Sequence, residues 1–113
     1  MPRLRSDFWV SAHLRRLGVE GIAAVQRRRG SPEAGAIFVK VDRLDGTADL
    51  FGPAPQSLID EDSAGERLFV ALMAAASPAD VEDRIAKELR FDGDLWIVEI
   101  DDRDGRHRLD LAE

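Results

Sequence analysis

Several groups of side chains in this 113-residue chain have the types and spacing that chemistry uses. Glu99 and Asp101 lie two apart in an alternating segment, so on a strand both carboxylates leave one face about 6.6 Å apart, close enough to share a divalent cation. Lys40 and Asp42 repeat that spacing in a second such segment. Brought side by side in a sheet, the four resemble the carboxylate and lysine constellation of metal-dependent phosphodiesterases. No acidic-x-Lys pair accompanies them, however, and alternating charge is what a half-exposed sheet carries without any ion. A second group is basic: Arg27, Arg28 and Arg29 at a strand end, with Arg15 and Arg16 and with Arg3 and Arg5, have the forked donors that bind phosphate bidentately. Asp60, Glu61 and Asp62 with Glu66 offer oxygens to Mg²⁺ or Ca²⁺. So does Asp101-Asp102-Arg103-Asp104-Gly105, but Arg106 and His107 stand where a calcium loop starting at Asp102 needs an oxygen ligand and glycine.

Two further residues stand apart. His13 flanks an apolar helical stripe without a Ser or Asp arrangement that would make it a general base, so it reads as a partly buried, hydrogen-bonded structural histidine. Trp9, beside Phe8 in a short terminal helix and flanked by arginines, has the composition of an interface anchor.

The elements that must position these groups follow from periodicity. A helix is expected over about 7–17, with Ser6 as N-cap, Gly18 as stop, and Val10, Leu14 and Leu17 as its buried stripe. A strand over about 19–29 comes next, then 36–42, whose Ile37, Val39 and Val41 share one face. Asp45-Gly46 predicts a two-residue type I′ hairpin into Thr47–Phe51, ended by Gly52-Pro53. The apolar run 67–73 reads as a strand buried on both faces, with a helix as the alternative because of Ala71 and Ala74–Ala76. Ser77, Pro78 and Asp80 open a second helix, about 78–91, with Val81, Ile85 and Leu89 inward. Leu95–Asp102 is a strand with Trp96, Val98 and Ile100 on its core face, and Asp104-Gly105 is expected to turn it back into an edge strand, Arg106–Leu111. The fold class is α+β, a mainly antiparallel sheet of about five or six strands with both helices covering one face.

Composition narrows the functional classes. With no cysteine, disulfides, thiol nucleophiles and thiolate-bound zinc are out. The net charge of −6 lacks the field that non-specific nucleic-acid binding needs. Charge is unevenly placed: residues 1–30 hold seven arginines against Asp7 and Glu20, net +5, and the remainder carries −11. Fourteen of the sixteen basic residues are Arg, and Asn and Tyr are absent, as GC-rich coding favours, so arginine clusters weigh less here as functional signals. No run is apolar enough for a secretory signal or membrane span, and a cytoplasmic location and one domain over 1–113 are expected.

Arg15-Arg16-Leu17, Arg29-Gly30 with Gly35-Ala36, Arg43-Leu44-Asp45-Gly46, Gly52-Pro53-Ala54-Pro55-Gln56 and, above all, the run from Phe91 through Asp94-Leu95-Trp96 to Arg103 together resemble the small bacterial domain-of-unknown-function family 1491. The resemblance covers nearly the whole chain and implies a stand-alone cytosolic domain of this length, associated with alphaproteobacteria, with no assigned activity and no catalytic residues to carry over.

The residues therefore favour a non-catalytic protein-interaction or adaptor domain, with a protein partner or a second copy of the chain as its target, no cofactor and no resident metal. Trp9, Arg15, Arg16, Arg27, Arg28 and Arg29 are its candidate binding residues. The alternative, from another class, is a small metal-dependent or nucleotide- and phosphate-binding enzyme, with Arg27–Arg29 as anion clamp and Glu99 and Asp101 as metal ligands.

Overall fold

The computed structural model describes residues 4–58 and 66–112. The alternating segments form strands β2 (Ile37–Asp42) and β3 (Ala48–Pro53), paired antiparallel with Val39 opposite Phe51 and Lys40 opposite Leu50. Their connection is wider than the expected two-residue turn. Arg43 donates its N–H to the Thr47 carbonyl at 3.0 Å, and left-handed backbone falls on Leu44 (φ 61°) and Gly46 (φ 88°), not on Asp45. The Asp45 carboxylate instead accepts the Thr47 N–H and hydroxyl, at 2.9 and 2.6 Å, an Asx turn that competes with the type I′ geometry. β3 continues through the expected break at Gly52 and ends at Pro53.

Helix α1 (Ser6–Val19) buries Val10, His13 and Leu17. Its start corrects the sequence reading: Arg5 occupies the N-cap, and Ser6 lies inside the helix, buried, donating its hydroxyl to the Gly35 carbonyl at 2.7 Å. The free N–H groups of Ser6 and Asp7 reach the carbonyls of Glu33 and Pro32, so a distant loop replaces the capping side chain. Gly18 is inside the last turn rather than beyond it. Helix α2 (Pro78–Phe91) begins as its residues dictate, with the Asp80 N–H on the Ser77 hydroxyl at 3.1 Å and Val81 and Ile85 buried.

Strands β1 (Ala23–Arg28), β4 (Phe69–Ala76) and β5 (Trp96–Asp101) complete a five-stranded sheet in the order β1-β5-β2-β3-β4. All neighbours are antiparallel except β5 and β2, which run parallel. The apolar run is thus a strand from Phe69 to Ala76, not a helix. It lies at the sheet edge, where only Phe69 of β4 is fully buried, so its expected burial on both faces does not hold. Arg106–Leu111 is not an edge strand paired to β5, because β1 and β2 already occupy both sides of β5. The segment crosses instead to β4, meeting it through one parallel bridge between Leu111 and Phe69.

The two helices cover opposite faces, not one. Under α1, Val10, Leu17 and Ile22 pack with Val39, Val41, Trp96, Val98 and Ile100. Under α2, Val81 and Ile85 pack with Phe38, Leu50 and Ile97. The cause is in β2, β3 and β5, which carry large apolar residues at both parities, so each face of the sheet needs its own cover. No helix among the described residues is long and apolar enough to cross a membrane.

Candidate functional site

The parallel register sets Lys40 beside Glu99 and Asp42 beside Asp101, all on the α2 face. From above, Glu82 of α2 reaches both cations of this face: one carboxylate oxygen accepts from Lys40 Nζ at 2.7 Å, and the other from Arg27 Nη2 at 2.8 Å. Arg27 Nη1 also binds Glu99, at 3.1 Å, and Lys40 Nζ lies 3.8 Å from the same carboxylate. Lys40 is nearly enclosed, its side chain 7% exposed. Arg27 joins this network because β1 carries a bulge between Gln26 and Arg28, which lets two successive arginines address the α2 face.

The electrostatics follow the geometry. Hydrogen bonds from Arg27 and Lys40 hold the Glu82 carboxyl at about 2, well below its ordinary 4.5. Glu99 moves the other way: burial on the strand, with Asp101 beside it, pushes its carboxyl up despite the two cations. Carboxylate oxygens of Asp42, Glu99 and Asp101 lie within 4.8 Å of one another, a donor set of the kind divalent cations use. Two of the three already have other partners: Asp42 accepts the Leu44 N–H at 2.8 Å, and Glu99 faces Arg27 and Lys40.

Beside the network, Arg27 and Arg28 of β1, Ile97 of β5 and Ile85 and Leu89 of α2 line an open cavity of about 220 Å³. Arg28 donates to the Leu95 carbonyl at 2.7 Å and forms no ion pair among the described residues. Arg29 points elsewhere, its guanidinium 5.2 Å from the Trp96 ring centre. Arg27 and Arg28 thus share one cavity wall with separate partners, and Arg29 does not join them, so the three do not form a single anion clamp. Arg15 and Arg16 are exposed on α1, across the sheet from the cavity, and Arg16 pairs with Glu20 at 3.5 Å. Trp9 is half-buried, stacked on His13 with ring centres 4.5 Å apart and tilted against Phe69. Its neighbour Phe8, 55% exposed, is the more open aromatic.

The remaining candidates resolve into local structure. Asp60, Glu61 and Asp62 lie outside the described residues. Asp102 spends its carboxylate on the Arg106 N–H and guanidinium, at 2.8, 3.1 and 2.7 Å, which holds its carboxyl at about 2 and leaves turn chemistry rather than a calcium loop. His13 donates Nε2–H to the His107 carbonyl at 2.8 Å, and His107 Nδ1 accepts the Leu109 N–H at 2.9 Å. Burial lowers both histidines below their ordinary 6.5. Glu82, the hinge of the charged network, was not among the sequence candidates. It sits one residue beyond the buried Val81, and only the docking of α2 onto the sheet gives it its role.

The Asp94-Leu95-Trp96 run proves to be scaffolding. The Ser31 N–H binds the Asp94 carbonyl, Trp96 N–H binds the Ala36 carbonyl, and Trp96 Nε1 donates to the Ser31 carbonyl at 2.8 Å. Gly30 and Gly35 press against the Asp94 carbonyl so closely that neither position has room for a Cβ.

Fold and site together define a small three-layer α+β protein whose mixed sheet holds a charged network under one helix and a small apolar cavity at its edge. The chain belongs to the family described as protein of unknown function (DUF1491), which matches residues 4–110. It is similar to the solution structure of protein Atu0922 from A. tumefaciens, with 38% identity over 98% of this chain and 96% of that one and a TM-score of 0.83. Two structures of a DUF1491 family protein from Caulobacter crescentus CB15 are also similar. The crystal structure has 36% identity over 97% of this chain and 98% of that one, and the NMR structure 40% over 97% and 96%, each with a TM-score of 0.78. No curated protein matches the chain.

Proposed function

We propose that residues 1–113 act as one non-catalytic interaction domain whose binding region is the β1 edge with its flanking arginines. The carrying observation is the division of labour among the charged groups. Arg27, Lys40, Glu82 and Glu99, which an enzyme reading would need free, are bound to one another. Arg28, one residue away, lines an open cavity and donates to the Leu95 carbonyl without an ion-pair partner among the described residues. A cation beside desolvated apolar surface is how an interface anchors and orients a partner. A metal-dependent or phosphate-binding enzyme would draw on the same residues, yet here Arg29 turns away from Arg27 and Arg28, and Glu82 and Glu99 are answered by internal cations. The N-terminal basic region likewise finds acids in the remainder of the chain, Arg5 at Glu33 and Arg27 at Glu82 and Glu99, so the charge dipole of the sequence is partly cancelled in space.

Affinity capture from an extract of the source cells, comparing the tagged protein with its Arg28→Ser variant at low and high salt, tests the reading. A protein that is retained, rebinds as a purified component and weakens with Arg28→Ser supports it. No retained protein at either salt overturns it.

A further inference from the structure

β1 is an edge strand, and its outer side is open. Among the described residues no backbone group of Ala23–Arg28 bonds to anything but β5. Open edges are templates for another strand, and sequences usually blunt them. β4, at the other edge, is blunted: its register with β3 is broken twice, and Leu111 covers its first residue. β1 has its one irregularity at the end, between Gln26 and Arg28, and Ala23–Gln26 is regular. Val25, opposite Glu99 and therefore on the α2 face, is 58% exposed. Next along that face comes the open cavity lined by Arg27, Arg28, Ile85, Leu89 and Ile97.

From these placements we infer that β1 and the groove between it and α2 receive an extended peptide segment of a partner protein by strand addition. One apolar side chain of the segment fills the cavity, and an acidic side chain on the same peptide face meets Arg28. The inference rests on the interaction reading above and names its partner chemistry. Three observations select this occupant. An unpaired strand edge presents backbone donors and acceptors that an extended chain satisfies and a helix does not. The cavity, about 220 Å³, is below the roughly 300–1,000 Å³ of pockets that enclose a whole small molecule and suits a single side chain. Arg28, which lines it, donates to the Leu95 carbonyl but carries no carboxylate partner among the described residues, so an acid complements it.

The test uses the purified full chain and blocked, fluorescein-labelled peptides of alternating Thr and Val with one central Leu. An Asp is placed two residues before or two after the Leu, which covers both strand directions and keeps both side chains on one face. Fluorescence anisotropy should show saturable binding by one Asp peptide, weakened about tenfold when Lys replaces Asp, as loss of a charge-assisted pair implies. Arg28→Glu should reverse that preference, and a reversed preference cannot come from a misfolded variant. Amide resonances of residues 23–28 should shift on titration. A second variant, Leu89→Glu, leaves Arg28 in place and should weaken both peptides by charging the cavity. Equal binding of Asp and Lys peptides, shifts confined to other elements, or no binding into the millimolar range overturns the inference, as does a dimer of the free protein formed edge to edge through β1. The outcomes separate the two claims. A captured protein that binds elsewhere on the surface defeats strand addition while leaving the interaction reading standing, and the absence of any captured protein defeats the interaction reading itself.

Discussion

Glu82→Gln removes the closer of the two carboxylates that Lys40 and Arg27 share, and the structure sets the size of the effect. The descent of the Glu82 carboxyl from 4.5 to about 2 has a ceiling of about 3 kcal/mol. Because the Glu82 side chain is 40% exposed, solvent screening reduces that to about 1–1.5 kcal/mol. Lys40 keeps Glu99 at 3.8 Å, so the cation is weakened rather than stranded. At pH 7 the variant should therefore unfold at lower urea, with a melting temperature lower by about 4–8 °C. The pH dependence is signed. A carboxyl depressed in the folded state contributes stability above its unfolded value of 4.5, and loses it as pH falls toward about 2, so the gap between wild type and variant should narrow steadily below pH 4.5. Urea titrations followed by tryptophan fluorescence at pH 7, 4.5 and 3 read this directly. A Lys40→Met, Glu82→Gln cycle adds a second check: the double variant should be less damaged than the sum of the single ones, because the two groups interact. Equal stability of Glu82→Gln and wild type at pH 7, a gap that does not narrow in acid, or strict additivity refutes the network.

Gly35→Ala should cost about 2 kcal/mol or more, because its Cβ meets the Asp94 carbonyl and the Ser31 backbone, neither of which can yield as a flexible side chain would; a urea midpoint unchanged from wild type would contradict this. Ser77→Ala should cost about 1 kcal/mol by freeing the Asp80 N–H, read from the same titration, and Ser77→Asp should restore most of it. Burial holds His13 and His107 below 6.5, so the unfolded chain binds protons first as pH falls, and stability should be full above pH 6.5 and decline as pH drops through the lower folded values. His107→Asn, which keeps an acceptor for the Leu109 N–H but does not titrate there, should flatten that decline in melts from pH 7.5 to 5.5.

Helix α2 was legible almost to the residue because cap, proline and stripe agree locally. The core face of β5 was legible too: Trp96, Val98 and Ile100 are buried at the expected parity. The same parity argument placed Lys40, Asp42, Glu99 and Asp101 on one face, and the sheet register joins them. What escaped is set by long-range docking. β5 inserts between β1 and β2, which makes one parallel pair and leaves no edge for Arg106–Leu111. The placement of helices on opposite faces was foreshadowed by Phe38 and Ile97, apolar residues on the second face of strands otherwise assigned one buried side. The N-terminal cap could not be read locally, since the groups that satisfy it come from Pro32, Glu33 and Gly35. The bulge that turns Arg27 toward Glu82 has no signature in the arginine run itself.

The charged face between β2, β5 and α2, proposed above to be an internal network, is tested most directly by a thermal-shift series on the intact protein against Mg²⁺, Mn²⁺ and a panel of nucleotides, with Glu99→Gln beside the wild type. A ligand that binds only the folded state raises its melting temperature. The account predicts no rise with any of them beyond that of matched ionic strength. A saturable rise of several degrees with a divalent cation or a nucleotide, lost in Glu99→Gln, would contradict it.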